Sequence, residues 1–298
     1  MKNLFLIALI FVSSISFAQK RDIKLEGKLK SLTEGFRGKM GVYVIDLKKN
    51  KIASINEDTI YPTASIVKIP ILVGIMHKIH DGDLKFHQRM TYTDSLYYDE
   101  GDDILASFKS GQTIELGRII SLMLSYSDNC ASLWLQGLSG GGTVINQYMD
   151  QLGLKNTRVN SRTPGRENAR NVYGWGQTTP KEIASLMKMI VDDKIIDRQY
   201  SEKMLRMMGR QFWDEVGLSQ IPPNIFVADK NGEVDQSRGE VMYVNAPHPY
   251  IFVVCSKENE DTSWKNNNEA WVLIRRLSST VFHHFNPRIS YDPPALFQ

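Results

Sequence analysis

The chain has 298 residues, of which 42% are hydrophobic and 23% are charged, and its net charge is +3. This is the composition of a globular protein with a large core, and it excludes a disordered or collagen-like chain. The one dense basic run, residues 48–51, lies between two β-like segments and indicates a solvated hairpin turn. We therefore predict no nucleic-acid partner.

The first 18 residues have the pattern of a secretory signal peptide. Lys2 precedes a short apolar run over residues 4–12, and small residues follow at Ser16 and Ala18. The apolar run is too short to span a bilayer, and no cysteine near it offers a site for a lipid anchor. We predict cleavage after Ala18 and a periplasmic or secreted protein with no membrane span.

Over the next two hundred residues, the predicted secondary structure changes from a helix and a hairpin to mostly helices. Leu25, Leu29, Leu32 and Phe36 recur at helical spacing, and residues 41–47 and 52–55 follow as a β-hairpin. Residues 63–208 are then predominantly helical. The predicted helices in this part cover residues 69–79, 114–124 and 131–138.

Strand patterns return in the last third of the chain. Residues 160–177 have no periodicity and predict a long structured loop. The remaining predicted elements are strands at 225–228, 240–244 and 250–256 and a helix at 269–284. Because β-formers flank a helical middle, the sequence predicts an α+β fold in which one antiparallel sheet has helices on both faces, an α/β/α sandwich with a second, all-helical lobe.

These patterns divide the mature chain into two lobes of one domain, residues 19–298. The sheet lobe comprises residues 19–62 and 209–298, and the helical lobe comprises residues 63–208. No repeat or linker separates independent domains, and we expect a monomer.

Cysteine and histidine give little sign of cross-links or metal. Only Cys130 and Cys255 are present, and we expect two buried free thiols rather than a disulfide. The six histidines form no metal-binding motif, so we predict neither a metal nor a cofactor.

The first chemical motif is Ser65-Ile66-Val67-Lys68, immediately before the buried helix predicted at residues 69–79. Three-residue spacing on a helix brings the lysine amine within reach of the serine hydroxyl. A buried lysine with a lowered pKa can remove the serine proton, and free N–H groups at a helix start can stabilise an oxyanion. Alone, the motif is equally typical of a helix cap followed by a surface lysine.

Two further motifs lie at element boundaries. Ser127-Asp128-Asn129 separates two helical segments, and the same residues commonly cap helices. Lys230-Asn231-Gly232 closes a predicted strand, and Ser237-Arg238-Gly239 opens the next one. Each alone is typical of a turn.

Together the three motifs resemble those of class A β-lactamases and the related penicillin-binding proteins, whose signature is S-x-x-K, S-D-N and K-T-G in that order. The resemblance covers about residues 38–285. It implies that Ser65 is the nucleophile, Lys68 its proton partner and Ser127 the proton relay to the leaving nitrogen. A β-lactam is the implied small-molecule substrate.

The resemblance also implies a set of substrate-binding residues. Asn129 is expected to bind the substrate's amide side chain, and Lys230 to lie near Ser127 and the substrate carboxylate. The N–H groups of Ser65 and Glu233 are expected to form the oxyanion hole. Arg238 stands where many family members have an arginine for that carboxylate, and a guanidinium suits the task. The substrate-binding set is Asn129, Lys230, Asn231, Gly232, Glu233 and Arg238.

The sequence departs from the family pattern at two places. Asn231 replaces the threonine or serine of the third motif. The family's deacylating glutamate lies in an E-x-x-x-N arrangement, which Glu167 and Asn171 reproduce. However, Glu167 comes a few residues late, and without a gap Thr163 falls on the glutamate position.

The residues therefore allow several functions. The first is a β-lactamase in which a water activated by Glu167 releases the acyl-enzyme. The others are a penicillin-binding D,D-peptidase-like enzyme, a hydrolase of other small amides or esters, and a non-catalytic β-lactam-sensing module. Intact Ser65, Lys68, Ser127 and Lys230 argue against the last.

Overall fold

The computed structural model describes residues 20–98 and 103–297. The predicted signal peptide at residues 1–18 lies outside the described residues. The helices are α1 (Ile23–Thr33), α2 (Lys68–His80), α3 (Leu116–Ser121), α4 (Asn129–Leu138), α5 (Gly141–Gln151), α6 (Glu167–Tyr173), α7 (Pro180–Val191), α8 (Arg198–Met208) and α9 (Glu269–Phe285). The strands are β1 (Lys20–Arg21), β2 (Lys39–Asp46), β3 (Lys51–Ile55), β4 (Tyr61–Pro62), β5 (Arg89–Thr91), β6 (Thr113–Glu115), β7 (Arg158–Val159), β8 (Gly176–Thr178), β9 (Phe226–Val234), β10 (Ser237–Asn245) and β11 (Tyr250–Lys257).

A six-stranded sheet in the order β1-β3-β2-β11-β10-β9 joins the two ends of the chain. The pairings are antiparallel except that of β1 with β3, and the registers pair Tyr43 with Val253 and Gly232 with Gly239. The hairpin predicted from residues 41–47 and 52–55 is confirmed. The basic run at residues 48–51 forms the turn between β2 and β3, and its last residue, Lys51, begins β3.

Both faces of this sheet are covered, which explains why its central strands are almost continuously hydrophobic. Val42, Val44 and Phe252 point towards α1 and α9, and Tyr43 and Val253 point towards the helical middle of the chain. Successive side chains alternate between faces, so one run of residues serves two cores. The predicted α+β architecture is confirmed.

Several predicted boundaries are wrong, for local reasons. Helix α1 ends at Thr33, before Gly35 with φ of 82°, so Phe36 packs from the following turn. The predicted helix at residues 114–124 begins as strand β6, continues as α3 and ends in a π-helical turn, Leu122–Tyr126. The predicted loop at residues 160–177 contains the short helix α6.

Two smaller sheets support the helical part. Strands β4, β8 and β7 form a three-stranded sheet, and β5 pairs with β6. The first of these joins the segment before Ser65 to both ends of the segment 160–175. No helix among the described residues is long and apolar enough to cross a membrane.

The two cysteines are both free and buried, as predicted. Cys130 lies on α4 and Cys255 on β11. Across the described ranges, His, Cys, Asp and Glu side chains form no group of three that could hold a metal ion.

Candidate active site

Ser65 lies on a single 3-10 turn, Ala64–Val67, which leads directly into α2. Ala64 has φ of 42°, a left-handed conformation that costs free energy in a non-glycine residue and is concentrated at functional sites. Pro70 occupies the first turn of α2, where no intrahelical N–H bond is lost. The half-buried serine therefore stands at the start of a buried helix, as the sequence predicted.

Lys68 is fully buried and points back at the serine. Its Nζ lies 2.9 Å from Ser65 Oγ, 2.9 Å from Ser127 Oγ and 3.0 Å from Asn129 Oδ1, and it donates to the Ser127 carbonyl at 2.5 Å. Burial, aided by the charge of Lys230, lowers the pKa of Lys68 well below its usual value. The amine is thus positioned and electrostatically disposed to accept the serine proton.

Ser127 reaches this amine because the backbone reverses abruptly in front of α4. The π-helical turn Leu122–Tyr126 ends at Ser127, which has φ of 63°. Asp128 then caps α4, where its carboxylate accepts N–H bonds from Ala131 at 2.7 Å and Leu105 at 2.9 Å. The capping interpretation of this motif is therefore confirmed for Asp128, and the flanking Ser127 and Asn129 contact Lys68.

The third motif forms the opposite wall. A Cβ atom on Gly232 would lie 2.4 Å from the Thr63 carbonyl oxygen and 2.9 Å from the Ser65 nitrogen, so only glycine allows strand β9 to approach the serine this closely. Lys230 is fully buried and donates to the backbone and side-chain oxygens of Asn231, both at 2.9 Å. Burial lowers the pKa of Lys230 to about 8, against the opposing effect of Asp229.

Arg238 lies on β10 opposite Glu233, but it does not line the space beside Ser65. Its guanidinium packs against two indoles, with Cζ 4.5 Å from the Trp264 ring centroid and 5.2 Å from that of Trp271. It donates to backbone carbonyl oxygens of Ser237 and Ser263 and is 1% exposed.

The two ends of the segment 160–175, which form its base, are joined by hydrogen bonds. The N–H groups of Asn160 and Ser161 both donate to the Trp175 carbonyl, at 2.8 and 3.0 Å. Arg166 bridges this base by donating to Asn160 Oδ1 and Gln177 Oε1.

Glu167 lies on the exposed first turn of α6, where its carboxylate accepts the Gly165 N–H at 3.1 Å. None of the four hydrogen bonds of the Lys68 amine reaches it. Thr163, the residue that a gapless alignment puts on the glutamate position, is buried and donates its hydroxyl to the Ser161 carbonyl at 2.9 Å.

Two cavities meet at Ser65, Asn129 and Glu233. One, of about 890 Å³, lies against residues 172–175 of the long segment. The other, of about 660 Å³, extends past Ser127 and Asn231. Of the predicted site residues, the structure therefore brings together Ser65, Lys68, Ser127, Asn129, Lys230, Asn231, Gly232 and Glu233. Glu167 and Arg238 line neither cavity, although Arg238 pairs with Glu233 across β9 and β10.

Sequence reasoning missed most of the cavity walls. Trp175 lines the larger cavity, and the Tyr98 ring packs edge-on against it at a centroid distance of 5.2 Å. Further lining residues that it did not select are Asp103, Tyr126, Trp213, Glu215, Trp264, Trp271 and Arg275. For Trp213 and Trp264, the available signal was a tryptophan in a segment without periodicity, whereas Trp271 lies within the predicted helix at residues 269–284.

Comparison with known proteins agrees with this geometry. The chain matches the model of the β-lactamase enzyme family over residues 24–285. It is 22% identical over 280 residues to β-lactamase VEB-1 of Pseudomonas aeruginosa, covering 88% of this chain and 92% of that protein. It is 25% identical over 239 residues to an imipenem-hydrolyzing β-lactamase of Enterobacter cloacae, covering 76% and 78%.

Solved structures give the same result for the fold. One described as PBP-A superposes with a TM-score of 0.79 at 22% identity and covers 90% of this chain and 98% of that one. A β-lactamase from Sphaerobacter thermophilus superposes with a TM-score of 0.78 at 18% identity, covering 90% and 100%. The fold is that of the class A β-lactamases and PBP-A. The chain belongs to the β-lactamase enzyme family.

Proposed function

We propose that this protein is a serine β-lactamase that opens β-lactam amides through an acyl-enzyme on Ser65. The observation that carries the proposal is the buried Lys68 amine, 2.9 Å from both the Ser65 and Ser127 hydroxyl oxygens, with its pKa lowered by burial. A lysine kept neutral beside a serine is a general base for that serine.

Acylation then follows from these contacts. Lys68 accepts the Ser65 proton as Oγ bonds to the lactam carbonyl carbon, and the C–N bond of the ring breaks. The proton passes from Lys68 through Ser127 to the departing nitrogen. The N–H groups of Ser65 and Glu233 are the proposed donors to the oxyanion, and the close approach of β9 at Gly232 supports this pairing.

Hydrolysis of the acyl-enzyme requires a second proton acceptor. A water must attack the ester carbon, the C–Oγ bond must break, and the proton must return to Ser65. Glu167 is the candidate from sequence, and for it to act its side chain must leave the Gly165 N–H and reach a water beside Ser65. Asn129, Asn231 and Lys230 remain the proposed substrate-binding residues, and Arg238 can join them only if an indole moves off its guanidinium.

A second candidate function, a penicillin-binding D,D-peptidase-like enzyme, is favoured by the same placement of Glu167. With its carboxylate exposed on α6 and Thr163 buried in its own hydrogen bond, the acylation residues are assembled without an adjacent deacylating carboxylate. Such an enzyme would be acylated by a β-lactam and retain the adduct.

The deciding experiment combines turnover of a chromogenic cephalosporin with intact-mass analysis of the same mixture. The β-lactamase proposal expects steady turnover with no lasting adduct. A one-to-one adduct without turnover would instead support the penicillin-binding function. Ser65→Ala should lose both signals, whereas Ser31→Ala, an exposed serine on α1, should lose neither. Adduct formation by Ser65→Ala would refute the nucleophile assignment.

The role of Glu167 is tested in the same assay. If it is the deacylating base, Glu167→Gln should be acylated at the normal rate and accumulate the adduct. Release at the unmodified rate would remove Glu167 from the mechanism. A wild-type biological effect from Ser65→Ala would favour a non-catalytic sensing module instead.

We also propose export of the mature chain, beginning after Ala18, to the periplasm or the exterior, where it acts as a monomer with the two lobes described above. The signal-like pattern of residues 1–18 supports export. N-terminal sequencing of protein from the periplasmic and culture fractions tests the cleavage site, and light scattering tests the oligomeric state. A full-length cytoplasmic product would contradict export.

A further inference from the structure

The smaller cavity beside Ser65 lies on the side from which the leaving group departs. Ser127 lines this cavity, and in the proposed mechanism Ser127 delivers the proton to the leaving atom. Its far wall is aromatic and includes Tyr126, Trp213, Trp264 and Trp271. A leaving group in this space therefore contacts aromatic side chains, which favour apolar groups and, over their ring faces, cations.

The charged residues that line this cavity are mostly acidic. Asp103, Glu215 and Glu233 contribute carboxylates, and Arg275 contributes a guanidinium. Arg275 donates to the Glu215 carbonyl and to both oxygens of Asn266, so its outer nitrogens are already engaged with the protein. Of the other nearby cations, neither Lys230 nor Arg238 lines the cavity.

Of these three carboxylates, Glu233 is the one that adjoins the third motif, one residue after Gly232 on β9. Trp271 Nε1 donates to its Oε1 at 2.9 Å, which fixes the side chain against the aromatic wall. Burial raises the pKa of Glu233, while Arg238 and the Trp271 N–H act in the opposite direction. Arg238 offsets part of this charge, but it does not line the cavity, and two of its nitrogens donate to the backbone carbonyls of Ser237 and Ser263.

We infer that Glu233 is a specificity-determining residue, whose carboxylate disfavours an anionic leaving group in this cavity and favours a cationic one. The inference rests on the proposed Ser65 acyl-enzyme. Glu233 also repels the carboxylate of a β-lactam when that carboxylate lies in this cavity. Glu233 therefore limits acylation by β-lactams as well.

The test uses three phenylacetyl thioesters whose leaving thiols differ in charge: thiocholine, its uncharged isostere 3,3-dimethylbutanethiol, and thioglycolate, which is anionic and also smaller. In each reaction Ser65 Oγ bonds to the acyl carbon, the C–S bond breaks and the thiol leaves with the serine proton. Thiol release gives kcat/KM for each ester, and each value is divided by the rate constant for uncatalysed hydrolysis of the same ester, because the three thiols differ in leaving-group ability. We expect the order cationic, neutral, anionic, with at least about a tenfold span between the extremes.

Glu233→Gln keeps the shape of the side chain and its acceptor for the Trp271 N–H while removing the charge. It should reduce the span to less than about threefold and raise kcat/KM for a carboxylate-bearing penicillin. Glu260→Gln is the matched control, because Glu260 is exposed and lies outside both cavities. The control should keep the wild-type order.

The outcomes separate the inference from the proposed function. Equal rates for the three esters, a preference for the anion, or an unchanged span in a folded Glu233→Gln variant overturns the inference alone, since Ser65 would still be acylated. If the variant does not fold, the order measured for the wild-type enzyme decides. Failure of every ester and of the penicillin to acylate Ser65 overturns both.

Discussion

Adding one methyl group to Gly232 should separate the nucleophile from the strand that faces it. In Gly232→Ala the new Cβ would lie 2.4 Å from the Thr63 carbonyl oxygen, 2.8 Å from the Ile66 nitrogen and 2.9 Å from the Ser65 nitrogen. Carbon contacts relax at about 3.5 Å, so β9 and the Ser65 turn must part by about 1 Å. All three neighbours are backbone atoms, and no flexible side chain can absorb the overlap.

A displacement of about 1 Å at a reacting centre costs on the order of 10²-fold in rate. Overpacking of this kind also costs about 1–3 kcal/mol in unfolding free energy. We therefore expect Gly232→Ala to fold but to be acylated about 100-fold more slowly. Stopped-flow acylation by a chromogenic cephalosporin gives the rate, and urea denaturation gives the stability.

Gly137→Ala is the control for the same chemical change. Gly137 lies within α4, and a Cβ there meets nothing within 4 Å. Alanine should stabilise the helix by about 0.5–1 kcal/mol and leave acylation unchanged. The reasoning is refuted if Gly232→Ala is acylated within threefold of the wild-type rate and is equally stable.

Three further predictions concern buried charges. Lys230 loses its positive charge above pH 8 because its pKa is about 8, so acylation of anionic substrates should decline there, and Lys230→Arg should move that decline to higher pH. An unshifted pH profile would exclude Lys230 as its source. Burial and the neighbouring Glu240 raise the pKa of Asp229 well above its usual value. The contribution of this carboxyl to stability is therefore most favourable at acidic pH, where it is protonated, and it falls as pH rises. Asp229→Asn should weaken the pH dependence of stability and raise the melting temperature at pH 8. A variant with a melting temperature below that of the wild type at pH 8 would contradict this prediction. Asp128→Ala removes the cap of α4 and leaves two buried N–H groups without their acceptor, which should cost about 1–3 kcal/mol in urea unfolding. A loss below 0.5 kcal/mol would mean that other groups satisfy those donors.

Periodicity predicted the parts of the fold whose side chains face a continuous core. The buried helix α2 and the strands β2 and β11 follow directly from apolar runs, because burial on each face requires them. The same reasoning failed for residues 114–124. A π-helical turn there does not change the apolar pattern, although it places Ser127 in its left-handed conformation beside Lys68.

For the candidate site, local spacing was informative and long-range packing was not. Ser65 and Lys68 could be paired from sequence because three residues on one helix fix their separation. The enclosure of Arg238 depends on Trp264 and Trp271, which follow it by 26 and 33 positions in the numbering and contact it only in the fold. Nothing in the pattern around Glu167 indicated that α6 would begin there and present it to solvent.

The two free cysteines can report on local unfolding without an introduced label. Burial raises the pKa of the Cys130 thiol to about 11 and that of Cys255 to about 12, so neither forms the reactive thiolate while its surroundings stay packed. Cys130 follows Asn129 on α4, whereas Cys255 lies in a central strand of the sheet. The alkylation rate of each thiol, measured by mass spectrometry, therefore reports local unfolding of the helical lobe separately from that of the sheet.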